Sequence, residues 1–208
     1  MDIKNIIIKS YKKAYDASNG AKPQIIASTE GDRNRQRSKN FVEMLAENFD
    51  NEYKRYKKHK SEKIIVFSRG CRKNRCSFGL NELLHDIAVC SVSKSKAPKQ
   101  KKVKLSYITR VYWQVESEFA RDSKQAIIDF NKLVLGSADN KLFVGSLVKN
   151  NSKAKDSVMC KKFMKTLAKP AGACRGNIYA AFLPHPSEWK ADSAPIVCQF
   201  IGNQFVEI

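Results

Sequence analysis

Apolar residues recur at near-helical spacing from the start of the chain: Ile3, Ile6, Ile7, Tyr11, Ala14 and Tyr15 form one stripe, and Asn19–Gly20 stops it. This predicts a helix over 1–20. A second stripe of Phe41, Met44, Leu45, Phe49, Tyr53 and Tyr56 predicts a longer helix ending near residue 58. Before it, residues 28–39 (STEGDRNRQRSK) are polar and arginine-rich, and read as an exposed loop or the lead-in of that helix. The helix closes in a basic run, KRYKKHKSEK, much of which a solvated helix end accommodates through its dipole.

The period then shortens. Residues 64–68 (IIVFS) read as a strand, followed by a basic loop, GCRKNRCSFG, then a helical turn at 81–85 and a strand at 86–92. Residues 94–104 (KSKAPKQKKVK) carry a proline among lysines and predict a flexible hairpin tip. A strand over 107–119 follows, and alternation puts Tyr112, Gln114, Glu116 and Glu118 on one face, with Val111, Trp113, Val115 and Phe119 on the other. Asp122 is a good N-cap with Gln125 three residues on, opening a helix through Ile127, Ile128, Phe130, Leu133 and Val134 to Gly136. A strand at 141–148 completes a strand–helix–strand unit, whose right-handed crossover places both strands in one sheet. Further on, 158–168 reads as a helix, 178–183 as a strand, and 196–208 as a hairpin around Gly202–Asn203. The order predicts an α/β fold: a mixed central sheet flanked by helices over about 40–150, and a β-rich C-terminal extension over 151–208. No repeat or boundary divides the 208 residues, which are expected to form a single domain.

Composition narrows the partner. Lys and Arg number 39 against 20 Asp and Glu, a formal net charge of +19, while 42% hydrophobic content argues against global disorder. Such an excess is most simply read as complementing a polyanion. A membrane surface is the rival, but no basic amphipathic helix accompanies a lipidation motif or apolar anchor. The longest apolar runs, such as Ile6–Ile8 and Ile64–Phe67, are too short to span a bilayer, and a cytoplasmic location is expected. The six cysteines contain no Cys-x-x-Cys pair, and Cys71-x4-Cys76 has no neighbouring Cys or His pair to complete a zinc site. With no export signal, a disulfide framework is not expected.

Against this basic background the acids stand out. Glu116 and Glu118, two residues apart on one strand face, stand roughly 6.5–7 Å apart along the strand. Folding alone gives no reason to set paired negative charges beside an apolar strand, because like charges repel and desolvation adds to the cost. A divalent cation removes that objection, and Asp86, at the head of the preceding strand, can supply a third oxygen ligand. Glu82, one turn earlier, is a further ligand through water on this reading, although an exposed helical glutamate is the commoner outcome. Alternation turns His85 away from Asp86, so it is expected to pack or hydrogen-bond; His59 and His185 have no partner in sequence. No nucleophile elbow, Gly-x-Gly-x-x-Gly or phosphate loop occurs. Arg69, Arg72, Lys73 and Arg75 before the Asp86 strand, with Lys94, Lys96, Lys99, Lys101 and Lys102 between the two acid-bearing strands, are the expected contacts to nucleic-acid phosphates. Such contacts position a duplex without reading its sequence.

The succession helix, strand, strand with Asp86, strand with Glu116-Ser117-Glu118, helix, strand over roughly 40–148 resembles the core of the PD-(D/E)xK nuclease superfamily. In that resemblance Asp86 matches the motif aspartate and Glu116 the acid of the next strand. Glu118 takes the place of the usual lysine, and His85 that of the usual proline; some type II restriction endonucleases also carry Glu-x-Glu here. The resemblance implies a Mg²⁺-dependent endonuclease acting on double-stranded DNA. Asp86 and Glu116 would be the bridging ligands, and Glu118 the group that orients or deprotonates the attacking water. It also implies a homodimer, since a two-fold protein matches a palindromic site. Two other readings share the charge: a non-enzymatic nucleic-acid-binding protein whose acids are structural or vestigial, and an RNA-associated basic protein, which leaves the acidic strand face unexplained.

Overall fold

A computed structural model of the chain describes residues 1–19, 29–57, 63–71, 74, 76, 78, 84–96, 104–119, 123–147 and 153–208. The fold is mixed α/β. Among the described residues the helices are α1 (Ile3–Asn19), α2 (Glu30–Lys57), α3 (Ser123–Leu135) and α4 (Lys153–Ala171). The strands are β1 (Lys63–Ser68), β2 (Ile87–Lys96), β3 (Lys104–Glu118), β4 (Asn140–Leu147), β5 (Asn177–Pro184), β6 (Ile196–Ile201) and β7 (Gln204–Glu207). All seven strands join one sheet in chain order. β1, β2 and β3 are successively antiparallel, β3–β4 and β4–β5 are parallel, and β6 and β7 close the sheet antiparallel. Each parallel pair needs a long crossover, which α3 and α4 supply. The strand-rich C-terminal part thus continues the central sheet.

Two apolar layers hold the sheet. On one face Ile6, Ile7 and Tyr11 of α1 and Phe41, Leu45 and Phe49 of α2 pack on Val66, Val89, Trp113, Val115, Val144 and Leu183. On the other, Phe130 and Leu133 of α3 and Leu167 of α4 pack on Phe143, Ala180 and Phe182. No helix among the described residues is long and apolar enough to cross a membrane.

Three local departures from the sequence pattern have physical causes. First, α2 starts at Glu30, so most of the polar stretch 28–39 is helix. Thr29 Oγ1 accepts a hydrogen bond from the Asp32 backbone N at 3.1 Å, and Glu30 and Asp32 sit in the first turn, where the dipole favours acids. Second, the β2–β3 ladder runs out to Lys96 opposite Lys104, so both ends of the lysine-rich tip are strand; residues 97–103 lie outside the described residues. Third, the register shifts between Val89 and Cys90, where Trp113 and Val111 are the successive partners. The extra residue, Tyr112, reverses the alternation. Tyr112 therefore packs on the same side as Trp113, with its ring centroid 5.5 Å from that of Tyr53. Val111 packs with Cys90 and Phe67 on the opposite side.

Gly176, just before β5, has φ 83°, and an added Cβ would fall 2.4 Å from the Asp139 carbonyl oxygen. That oxygen accepts the Asn177 N–H at 2.9 Å, so the backbone there has little freedom to shift. Gly176→Ala is expected to cost about 2–4 kcal/mol, from the left-handed conformation and the forced contact together. Urea unfolding measures it; a midpoint equal to wild type would show that this turn relaxes freely.

The thiols divide by burial. Cys90 is 1% exposed, and burial pushes its pKa up to about 12. Burial likewise takes Cys160 and Cys198 up to about 11. Cys76 is exposed. Alkylation of the native protein at pH 8 is therefore expected at Cys76, while Cys90, Cys160 and Cys198 stay unmodified until the chain unfolds, because the thiolate is the reactive form. Peptide mapping after a timed iodoacetamide pulse reads this, and early labelling of Cys90 would contradict it.

Candidate active site

The acid-bearing segments meet at one end of the sheet: the end of β1, the start of β2 and the end of β3. In open α/β sheets the crevice beyond the carboxyl ends of parallel strands is the usual ligand site. Here it is a cleft of about 490 Å³ between α2 and the sheet. Asn34, Arg35, Lys39 and Glu43 of α2 line one wall; Arg69, Asp86, Ser117 and Glu118 line the sheet side, with His185 and Pro186 following β5. Gly70 keeps the mouth narrow: a Cβ there would lie 2.7 Å from Glu43 Cγ.

Asp86 precedes β2 and is held by the tip of β3. Its Oδ2 accepts hydrogen bonds from Ser117 N at 2.8 Å and Ser117 Oγ at 2.6 Å. Two donors on one carboxylate oxygen fix the side chain at the cleft wall.

Glu116 has other partners. It is 2% exposed and reaches toward α3, on the far side of the sheet from α2. Its Oε1 lies 2.9 Å from His85 Nδ1, and its Oε2 accepts from Lys132 Nζ at 3.2 Å. An ionised carboxylate can only accept, so Nδ1 carries the proton of the His85 contact. Lys132 also meets Asp129 Oδ1 at 2.8 Å, and Gln125 Nε2 donates to Asp129 Oδ2 at 3.3 Å. The bond to Asp129 and the charge of Glu116 outweigh desolvation and hold the Lys132 pKa above its usual value, so the ammonium stays charged at working pH. His85 is thus buried and hydrogen-bonded, with Glu116 as its partner.

Asp86 and Glu116 come from neighbouring strands but are engaged separately, one by Ser117 in the cleft and the other by His85 and Lys132. Glu118 lines the cleft with Asp86. Glu82 lies outside the described residues, as do Arg72, Lys73, Arg75, Lys99, Lys101 and Lys102. Arg69 lines the cleft. Lys94 and Lys96 lie on β2, running away from it, with Lys94 opposite Ser106. Among the described residues no group of three or more His, Cys, Asp and Glu side chains is gathered to hold a metal. Asp86 and Glu118 are the carboxylates on the sheet side of the cleft; one or two carboxylates with several waters is the commonest way a protein holds Mg²⁺.

Periodicity alone missed Lys132, Asp129 and Ser117. The buried stripe of α3 is Ala126, Asp129, Phe130 and Leu133, whereas Ile128, expected on the stripe, is 46% exposed. An aspartate at a core-facing helical position was the available signal: it is costly to bury unless paired, and Lys132, three residues on, is the pairing cation. Comparison with family models, with curated proteins and with solved structures found no match.

Proposed function

We infer that the protein is a Mg²⁺-dependent endonuclease of double-stranded DNA, most like a type II restriction endonuclease. The observation that carries this is the cleft at the end of β3, where Asp86 and Glu118 share a wall in a chain of net charge +19. The order α2, β1, β2, β3, α3, β4, with β4 parallel to β3, supports the resemblance drawn from the sequence. In this reading Asp86 would hold the ion with Glu118 beside it in the cleft lining, while Glu116, on the α3 side of the sheet, is engaged by His85 and Lys132. When bound, Mg²⁺ would supply a water of lowered pKa and offset charge on the departing oxygen. Glu118, which lines the same cleft, would orient or deprotonate that water, and Ser117 holds the Asp86 carboxylate. A cytoplasmic homodimer, one cleft per strand of a palindromic target, completes the proposal.

The test is incubation with plasmid and Mg²⁺, with an EDTA control. Discrete fragments support a sequence-specific enzyme, a smear a non-specific one, and intact plasmid refutes both. One observation favours a second reading, a nucleic-acid-binding protein whose acids are structural: both oxygens of Glu116 are already satisfied by His85 and Lys132.

A further inference from the structure

The α2 wall of the cleft carries two cations, Arg35 and Lys39, beside Glu43 and across from Asp86 and Glu118, and they come from a segment outside the basic loops that the sequence singles out. Asn34, Arg35, Ser38, Lys39, Val42 and Glu43 recur at i, i+1, i+4, i+5, i+8 and i+9, which is one face of α2. Two cations of that face are held only loosely. Arg35 is 3.7 Å from Asp32 with its side chain 83% exposed; Lys39 is 3.8 Å from Glu43 and 55% exposed. Pairs of this kind contribute little to folding and exchange readily for another anion.

Arg37, on the same helix, is different. It donates to Pro186 O at 2.5 Å and to Asn19 Oδ1 at 2.6 Å, so it anchors α2 beside the loop that closes the cleft. The wall is therefore fixed in place by one arginine while Arg35 and Lys39 keep their donors at the cleft. Asp86 and Glu118 across the gap would repel an approaching phosphate, and cations facing them offset that repulsion. A volume near 490 Å³ suits about one nucleotide of a strand, which one strand of a duplex can present.

We propose that Arg35 and Lys39 of α2 form a phosphate-binding wall that seats one strand of a nucleic acid against the Asp86–Glu118 edge. This rests on the nucleic-acid reading above but not on its chemistry, so it is tested without metal.

Full-length Arg35→Ala/Lys39→Ala protein is compared with wild type and with Lys161→Ala/Lys165→Ala, an equal charge change on exposed lysines of α4. Alanine is the best helix former, so both variants should fold, which circular dichroism verifies. Binding of a fluorescent duplex is measured in EDTA across a salt titration, with anionic phosphatidylserine vesicles as a parallel arm. Loss of two phosphate contacts should lower the slope of log K against log salt by about 1.8 and weaken binding, whereas the α4 variant keeps the wild-type slope. An unchanged slope, an equal loss in the α4 variant, no duplex binding by wild type, or a dependence seen only with vesicles would overturn the proposal. If the wall is needed for binding but Mg²⁺ yields no cleavage, the nuclease reading fails and the phosphate wall stands. Cleavage with an unchanged slope means the opposite: the nuclease reading stands and the phosphate wall fails.

Discussion

Asp86→Ala is expected to lower Mg²⁺-dependent DNA cleavage by on the order of a thousandfold or more, while binding measured in EDTA stays as tight as wild type or becomes tighter. A metal acting on a phosphoryl oxygen is worth several kcal/mol of transition-state stabilisation, and each 1.36 kcal/mol is about tenfold in rate. Removing a carboxylate from the cleft also removes repulsion of the incoming phosphates, so affinity moves the other way. Glu116→Ala strands His85 and Lys132, so any loss of cleavage in it must be read beside its stability. Glu118→Ala should lose cleavage if that residue handles the water; Glu118→Lys, the commoner residue of the resembled family, is expected to retain more than Glu118→Ala. Full activity in Asp86→Ala would leave the binding-only reading in place.

Lys132→Met is expected to lower stability by about 2 kcal/mol. Removing one partner of a buried pair typically costs about 3–5 kcal/mol, because the remaining charge is uncompensated. The Lys132 side chain is 36% exposed, so water takes up part of that and the loss falls below the range. Glu116, at 2% exposure, and Asp129, at 7%, cannot find water so easily. Adding Glu116→Gln should recover part of the loss, since the amide needs no counter-ion and still offers His85 a carbonyl. The non-additivity, read from urea midpoints of the two single variants and the double, measures the Lys132–Glu116 coupling. A Lys132→Met protein as stable as wild type would show that the network is not what keeps Glu116 buried.

The fold was largely legible in the sequence because most elements carry strong periodicity. Among the described residues, the stripes of α1 and the later part of α2, and the runs of β1, β4 and β5, bury the face that their pattern names. What escaped reading depends on interactions that periodicity does not encode. The start of α2 rests on the Thr29 cap, one hydrogen bond among many polar residues. The face of Tyr112 rests on a bulge, an insertion in pairing that leaves no trace in an alternating pattern. The site was half legible. Strand alternation separated Glu116 from Trp113 and Val115, and turned His85 away from Asp86. It could not show that Asp86 would take Ser117 as its partner, or that α3 would deliver Lys132 to Glu116, since both depend on how separate elements pack. Nor did the basic runs point to the α2 wall, where Arg35 and Lys39 are two cations in a stretch of mixed charge.

The proposed phosphodiester hydrolysis at the cleft between α2 and the end of β3 is tested most directly by cleavage of supercoiled plasmid. Wild type and Asp86→Ala, purified identically, are assayed side by side in Mg²⁺ and in EDTA. Cutting by wild type in Mg²⁺ alone is expected, and none by the variant in either condition. Equal cutting by both proteins, or none by wild type at stoichiometric enzyme, would contradict hydrolysis at this cleft.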